Sequence, residues 1–374
     1  MTNNKTAHLC FFIGTDAELV KMFPVIMRAN LNHIHYKVIS SGQNDITKSA
    51  GLYAANGGKV DCTLSSERDI KKSAVGLLQW FFTTKKTAVK KIANDLTDVD
   101  FTKSIMVVHG DTVSTFMGAL IGKRLKMKIA HVEAGLRSHD IFNPFPEEID
   151  RILTSRRTDI HFAPGDVPCE NLKGKHNVVN TRLNTIYDSL QYSCKIPCKN
   201  DLVKQLNGQK YFVFVLHRQE NLMQKELVES IVNSVINISK QIKCVIILHK
   251  PTEITLAELG ILQGIENNEQ FYTTPRMEYF DFMKLLANSQ FVITDGGSNQ
   301  EELYYMGKPC LILRKSTERN EGIGINAVMY GGNIDWIRRF SEDYPNYIKN
   351  RIIAKTPPSD IIYEKLVEVL QGDI

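Results

Sequence analysis

One rhythm restricts the fold of this chain more than any other feature. Short apolar runs rich in β-formers alternate with amphipathic stretches along almost its whole length. In the first half the apolar runs are "HLCFFIG", "HYKVISS", "KSIMVVHGD", "KIAHVEAG" and "DIHFAPG". In the second half they are "KYFVFVLH", "KCVIILHK", "QFYTT", "QFVITDGG" and "KPCLILR". Helical patterns such as "AELVKMFPVIMRAN" and "TVSTFMGALIGKRLK" lie between them, and others are expected over Lys225–Lys240, Met277–Ala287 and Asn299–Met306. Runs that stay apolar without alternation are strands buried on both faces, and a helix between each pair implies right-handed βαβ crossovers. Two such series predict an α/β protein built from two Rossmann-like, doubly wound parallel sheets. The length agrees, because 374 residues exceed the roughly 250–300 at which one core usually divides. The expected division is 1–182 and 183–355, with Val178–Asn200 as the hinge. "TPPSD" then precedes a last helix over Ile361–Leu370.

Charge and cysteines narrow the function. A net charge of +5 suits an anionic small molecule and is too mild to argue for nucleic acid or a membrane surface. No run approaches the roughly 18 apolar residues of a membrane span. The apolar core near the N-terminus, five residues before Gly14, is shorter than that of a signal peptide. The seven cysteines are scattered and form no disulfide framework. Cys194 and Cys198 have no second ligand pair nearby, so no metal site is expected and reduced cytoplasmic thiols are. G-x-G-x-x-G, G-x-x-x-x-G-K-[ST] and G-x-S-x-G are all missing, which argues against dinucleotide, nucleoside-triphosphate and serine-hydrolase chemistry. "GALIGKR" lies mid-helix and reads as core packing.

Ligands of open α/β sheets bind beyond the carboxyl ends of the strands, so the residues following each apolar run matter most. "TDGGSNQEE" ends a strand and opens a helix. Gly296, Gly297 and Ser298 would present backbone N–H groups to a diphosphate at the positive end of that helix. A capping box of Ser298 and Glu301 is the local alternative. Glu302, one turn in, suits the hydroxyls of a ribose. His217 in "LHRQEN" can donate to a phosphate or act as a general acid. Arg319 in "RKSTERNEG" suits bidentate phosphate recognition. In the first half, Asp111 in "VVHGDT" and Glu133 in "HVEAGLRS" end separate strands. "PFPEEIDR" starts a helix with Pro146 and two acids. Helix-start chemistry and an ordinary i,i+4 pair account for Glu147, Glu148 and Arg151, but they do not account for Asp111 and Glu133. On this reading Glu148 and Asp150 are surface charges.

In order, "GTDAELVKMFPVI", "SGQ", "VVHGDT", "HVEAGLRS", "PFPEEIDR", "HRQEN", "TDGGSNQEE", "GKPCLILR" and "TER" resemble the motifs of the bacterial non-hydrolysing UDP-N-acetylglucosamine 2-epimerases. The resemblance covers most of residues 8–322. It implies a GT-B fold with the site in the cleft between the domains, a homodimer, and a C-terminal helix (356–374) packing back on the first domain. It further implies a cytoplasmic enzyme with no cofactor, metal, nucleic-acid or membrane partner, supplying surface polysaccharide synthesis. By resemblance Asp111, Glu133 and Glu147 are the acid/base carboxylates, with Arg151 beside them. His217, Ser298 or its neighbouring backbone, and Arg319 hold the diphosphate, and Glu302 the ribose. Three departures stand out. "GTDAE" replaces the usual "GTRPE", so Asp16 stands where an arginine is expected and Lys21 is left to supply positive charge. Gly296 stands where the family has serine. Gln43 lies where several members form a second, activating nucleotide-sugar site, and Asn44 stands for a histidine there. Two alternatives stay open: a hydrolysing relative that releases N-acetylmannosamine, and a GT-B glycosyltransferase or inactive nucleotide-sugar sensor.

Overall fold

The computed structural model describes residues 5–66, 74–138, 147–317 and 319–372. Pro144, Pro146 and Glu318, which figure in the sequence motifs, lie outside the described residues.

The chain forms two compact units, residues 1–189 with 354–374, and residues 190–353. The first holds a seven-stranded sheet. Its strands are β1 (Leu9–Ile13), β2 (Tyr36–Ser40), β3 (Cys62–Thr63), β4 (Ile105–His109), β5 (Lys128–Val132), β6 (Ile160–Ala163) and β7 (Val178–Asn180). Their order is β3-β2-β1-β4-β5-β6-β7, all parallel. The second unit holds β8 (Tyr211–Val215), β9 (Lys243–Leu248), β10 (Phe271–Pro275), β11 (Val292–Thr294), β12 (Cys310–Ile312) and β13 (Ala327–Met329). Their order is β10-β9-β8-β11-β12-β13, again all parallel. Every residue of β1, β4 and β8 is buried, as expected of strands covered on both faces.

The ten apolar runs all become strands, and the expected helices form with ends shifted by no more than three residues. Val178–Asn200 is not a free hinge. It contains β7 and the helix Ile186–Lys195, and the division between units falls inside that helix rather than at 182. The longest helix, Ala74–Asp95, buries Trp80, Thr84, Ala88 and Ile92, a four-residue spacing that marks one face.

Two details set the geometry of the first unit. Gly118 and Gly122 let the helix Val113–Arg124 approach the sheet closely. A Cβ on them would lie 2.7 Å from the Phe12 ring and 2.5 Å from Ile129 Cδ1 respectively. The last helix, Pro358–Gln371, packs against Asp16–Leu31. Asp360 there pairs with Arg28, and the Ser359 N–H donates to Asp188 at 2.9 Å.

Candidate active site

Strand order reverses between β1 and β4 in the first sheet, and between β8 and β11 in the second. Such a reversal opens a crevice at the carboxyl ends of the strands, and both crevices are lined by the residues singled out above.

At the first crevice Glu18 ties the two loops together. Its carboxylate accepts from the Gly14 N–H at 2.7 Å and from the Thr112 hydroxyl at 2.5 Å. Burial pushes this carboxyl up to about 7, although those hydrogen bonds pull the other way. Thr112 caps the helix that follows Asp111, so the clamp also places Asp111. Gln43, from the loop after β2, accepts from the Ser114 hydroxyl at 2.5 Å and so lies against the first turn of the same helix.

Asp111 Oδ2 accepts from Arg151 Nε at 2.9 Å and Nη2 at 2.5 Å. Arg151 Nη1 donates to Glu148 at 3.1 Å, and Glu148 also accepts the Ser138 N–H at 3.0 Å. Glu148 is therefore no surface charge: it is 3% exposed. Asp150 is likewise buried, at 6%, and the expectation that these two acids face solvent is corrected. The reason is tertiary. Helix Glu147–Ser155 turns Asp150, Arg151, Thr154 and Ser155 inward, where helix-start chemistry alone would have left the acids outside. Burial, with Asp111 and Glu147 close by, pushes Asp150 up to about 7.

Glu133 ends β5 with φ of 64°, a left-handed conformation costly for a residue with a Cβ and often kept at functional sites. Its Oε2 accepts from the buried Lys21 ammonium, and His109 Nε2 lies 3.1 Å from the same oxygen. Burial lowers the pKa of His109, more than Glu133 raises it, so the imidazole is neutral beside a paired carboxylate. His109 feels Glu133 and Asp111, and Asp150 feels Asp111 and Glu147. Four carboxyls thus form one continuous electrostatic cluster.

At the second crevice Asp295, fully buried, organises the loop after β8. It accepts from the N–H groups of His217 and Arg218 at 3.1 and 2.9 Å, and from Asn221 Nδ2 at 3.1 Å. Burial opposes ionisation of Asp295, yet these bonds and His217 hold its pKa below the ordinary value. His217 Nδ1 lies 3.1 Å from Asp295, and its ring stacks on His249 with centroids 4.8 Å apart.

Gly296 is the N-cap of helix Gly297–Met306, which has no side-chain cap. Ser298 is exposed in the first turn, so the capping box with Glu301 does not form. Glu301 instead accepts from Tyr305 Oη at 2.9 Å and Arg319 Nη1 at 2.5 Å. Gln300 Nε2 donates to the carbonyls of Arg319 and Glu321 at 3.0 and 2.9 Å, which fixes the arginine loop to the helix. Glu302 accepts from Asn299 Nδ2 at 3.1 Å. A Cβ on Gly296 would lie 2.7 Å from Asn299 Oδ1 and 3.1 Å from His217 Cε1, so Asn299 fills the space a serine would need.

Glu18, His109, Asp150, Asp295 and Asn299 were not among the residues assigned roles from sequence. All five lie inside the motifs quoted above, and all but Asn299 are buried. No cluster of three potential metal ligands occurs among the described residues.

Three comparisons bear on these two crevices. The family model described as UDP-N-acetylglucosamine 2-epimerase matches residues 32–334. The UDP-N-acetylglucosamine 2-epimerase of Methanococcus maripaludis is 36% identical over 61% of this chain, which spans 64% of that protein. The UDP-N-acetylglucosamine 2-epimerase of Methanocaldococcus jannaschii is 30% identical over 87% of this chain and 88% of its own. Among solved structures, that of UDP-GlcNAc 2-epimerase from Neisseria meningitidis bound to UDP-GlcNAc has a TM-score of 0.79 at 27% identity, covering 97% of this chain and 100% of that one. The fold is α/β and GT-B-like, with two Rossmann-like parallel-sheet units.

Proposed function

The chain belongs to the UDP-N-acetylglucosamine 2-epimerase family, a family of isomerases, and on that premise we propose that it interconverts UDP-N-acetylglucosamine and UDP-N-acetylmannosamine without hydrolysis. The C2 proton of the sugar is not adjacent to a carbonyl, so its simple removal gives an unstabilised carbanion. Coupled departure of the anomeric UDP avoids that. A carboxylate takes the C2 proton, the C–H pair forms the C1=C2 bond of a 2-acetamidoglucal, and the C1–O pair leaves on UDP. UDP then re-adds to C1, and a carboxyl on the other face delivers a proton to C2.

The observation that carries this reading is the cluster of half-buried Asp111 and buried Glu133, after β4 and β5, with half-buried Glu147 at the start of helix Glu147–Ser155, and with Arg151 on Asp111 and Lys21 on Glu133. General acid–base transfer needs one carboxyl to take the C2 proton and another to deliver one, and the cluster offers three carboxyls for the two roles. Glu133, paired with Lys21, suits the base. In the second unit the first-turn N–H groups at Gly297 and Ser298, His217 and Arg319 suit the departing diphosphate, and Glu302 suits the ribose. Binding of UDP belongs to the second unit on this reading, and proton transfer to the first. The protein works as a cytoplasmic homodimer and feeds surface polysaccharide synthesis, and the Gln43 region is where an activating second nucleotide sugar would act.

Product analysis tests the non-hydrolysing route. Incubation with UDP-N-acetylglucosamine should give a stable mixture of two UDP-sugars by anion-exchange chromatography. Free N-acetylmannosamine with an equal amount of UDP would overturn it in favour of hydrolysis.

A further inference from the structure

The loop between β12 and β13 carries Arg319 with no helix or strand of its own among the described residues. Lys315, Ser316 and Asn320 around it are exposed. A long cation on such a loop loses backbone and rotamer freedom when it grips an anion, and that ordering weakens binding. A loop fixed beforehand avoids the loss.

Gln300 fixes this one. It stands near the start of helix Gly297–Met306 and is fully buried, although its amide is polar. Nε2 donates to the carbonyls of Arg319 and Glu321 at 3.0 and 2.9 Å, and Oε1 accepts from the Thr317 hydroxyl at 3.1 Å. The Arg319 N–H in turn donates to Thr317 Oγ1 at 3.2 Å. The two carbonyls can only accept, so the amide has one orientation here and an ionised carboxylate could not replace it. The next residue, Glu301, is 1% exposed and holds the head of the same arginine. Its Oε2 accepts from Arg319 Nη1 at 2.5 Å and its Oε1 from Tyr305 Oη at 2.9 Å. A guanidinium carries five N–H donors, so this pair orients it without exhausting it. Backbone and head of Arg319 are therefore both tied to the helix whose first-turn N–H groups suit the diphosphate.

We propose that Gln300 is a positioning residue for nucleotide binding, holding its loop so that Arg319 meets the diphosphate already ordered. Being fully buried, it acts through Arg319 rather than on the ligand. The proposal rests on the epimerase reading, which gives the diphosphate to this unit.

The test compares binding of UDP with that of uridine, which lacks the diphosphate, by NMR titration. Gln300→Met keeps the length and removes all three bonds, and the loop groups it releases lie near solvent, where water can pair them. The Kd for UDP should rise about five- to twentyfold while that for uridine stays within about twofold. Arg319→Ala should weaken UDP at least as much, and adding Gln300→Met to it should cost no more than about a further twofold. Unchanged UDP binding in Gln300→Met, a parallel loss for uridine, or losses that multiply in the double variant each overturn the proposal. So does an Arg319→Ala protein that binds UDP as tightly as wild type. If Gln300→Met does not fold, half-buried Thr317→Val takes its place and removes one of the bonds. A loss of about threefold confined to UDP then supports the proposal, and no loss or an equal loss for uridine overturns it. Wild-type protein with no affinity for UDP would instead sink the epimerase reading.

Discussion

Arg151 closes a fork on a single oxygen of Asp111, with Nε at 2.9 Å and Nη2 at 2.5 Å. Both groups lie in a cluster of acids, so this guanidinium keeps Asp111 and Glu148 from facing each other uncompensated. Lysine carries a single ammonium and cannot make that planar fork. Arg151→Lys should therefore lower kcat by a factor on the order of ten to a hundred. UDP affinity by calorimetry should stay within about twofold, because the nucleotide groups are supplied by the other unit.

Glu133→Gln and Asp111→Asn should each abolish hydrogen exchange at C2 while leaving UDP binding nearly intact. In Glu133→Gln the Lys21 ammonium also loses its partner, so a fall in melting temperature is expected there. Exchange at the wild-type rate in either variant would remove that residue from the acid/base set.

Glu18 makes stability depend on pH. Its folded pKa of about 7 lies above the ordinary 4.5, so the folded protein holds this proton where the unfolded chain releases it. The contribution is complete below about 4.5 and is lost as pH rises through about 7, with an upper limit of about 3 kcal/mol. Asp150, at about 7, and Asp188, at about 6, act in the same direction. Denaturant unfolding at pH 5 and pH 8 should show a smaller pH difference in Glu18→Gln than in wild type.

Gly296→Ser would restore the residue the family resemblance leads one to expect, yet its Cβ would press on Asn299 and His217. Weaker UDP binding is expected, by roughly three- to tenfold. Asn299→Ala in the same chain should recover part of the loss. An unchanged Kd in the single variant would show that the loop yields without cost.

The fold was largely legible because its strands are continuous apolar runs, whose meaning does not depend on distant residues. β3 and β7 were not, since each has two or three residues and, unlike β11 and β12, no longer apolar run around it; three-residue β13 was missed as well. The helix Ala74–Asp95 was also missed. Its glycine, threonines and aromatics are weak helix formers, and only the spacing of Trp80, Thr84, Ala88 and Ile92 marks it. At the site, strand ends pointed to Asp111, Glu133, His217 and the loop at Gly296. Glu148 and Asp150 were misjudged because acids in a first helical turn are explained equally well by the helix dipole. What decides between the two readings is the inward turn of that helix, which is a property of the packed protein.

The central claim is that a carboxyl cluster breaks and remakes the C2–H bond while UDP stays available for re-addition. Incubation with UDP-N-acetylglucosamine in D2O, without acceptor and followed by NMR at C2, tests it most directly. The account predicts deuterium at C2 in an intact mixture of two UDP-sugars. No deuterium at C2 would contradict it.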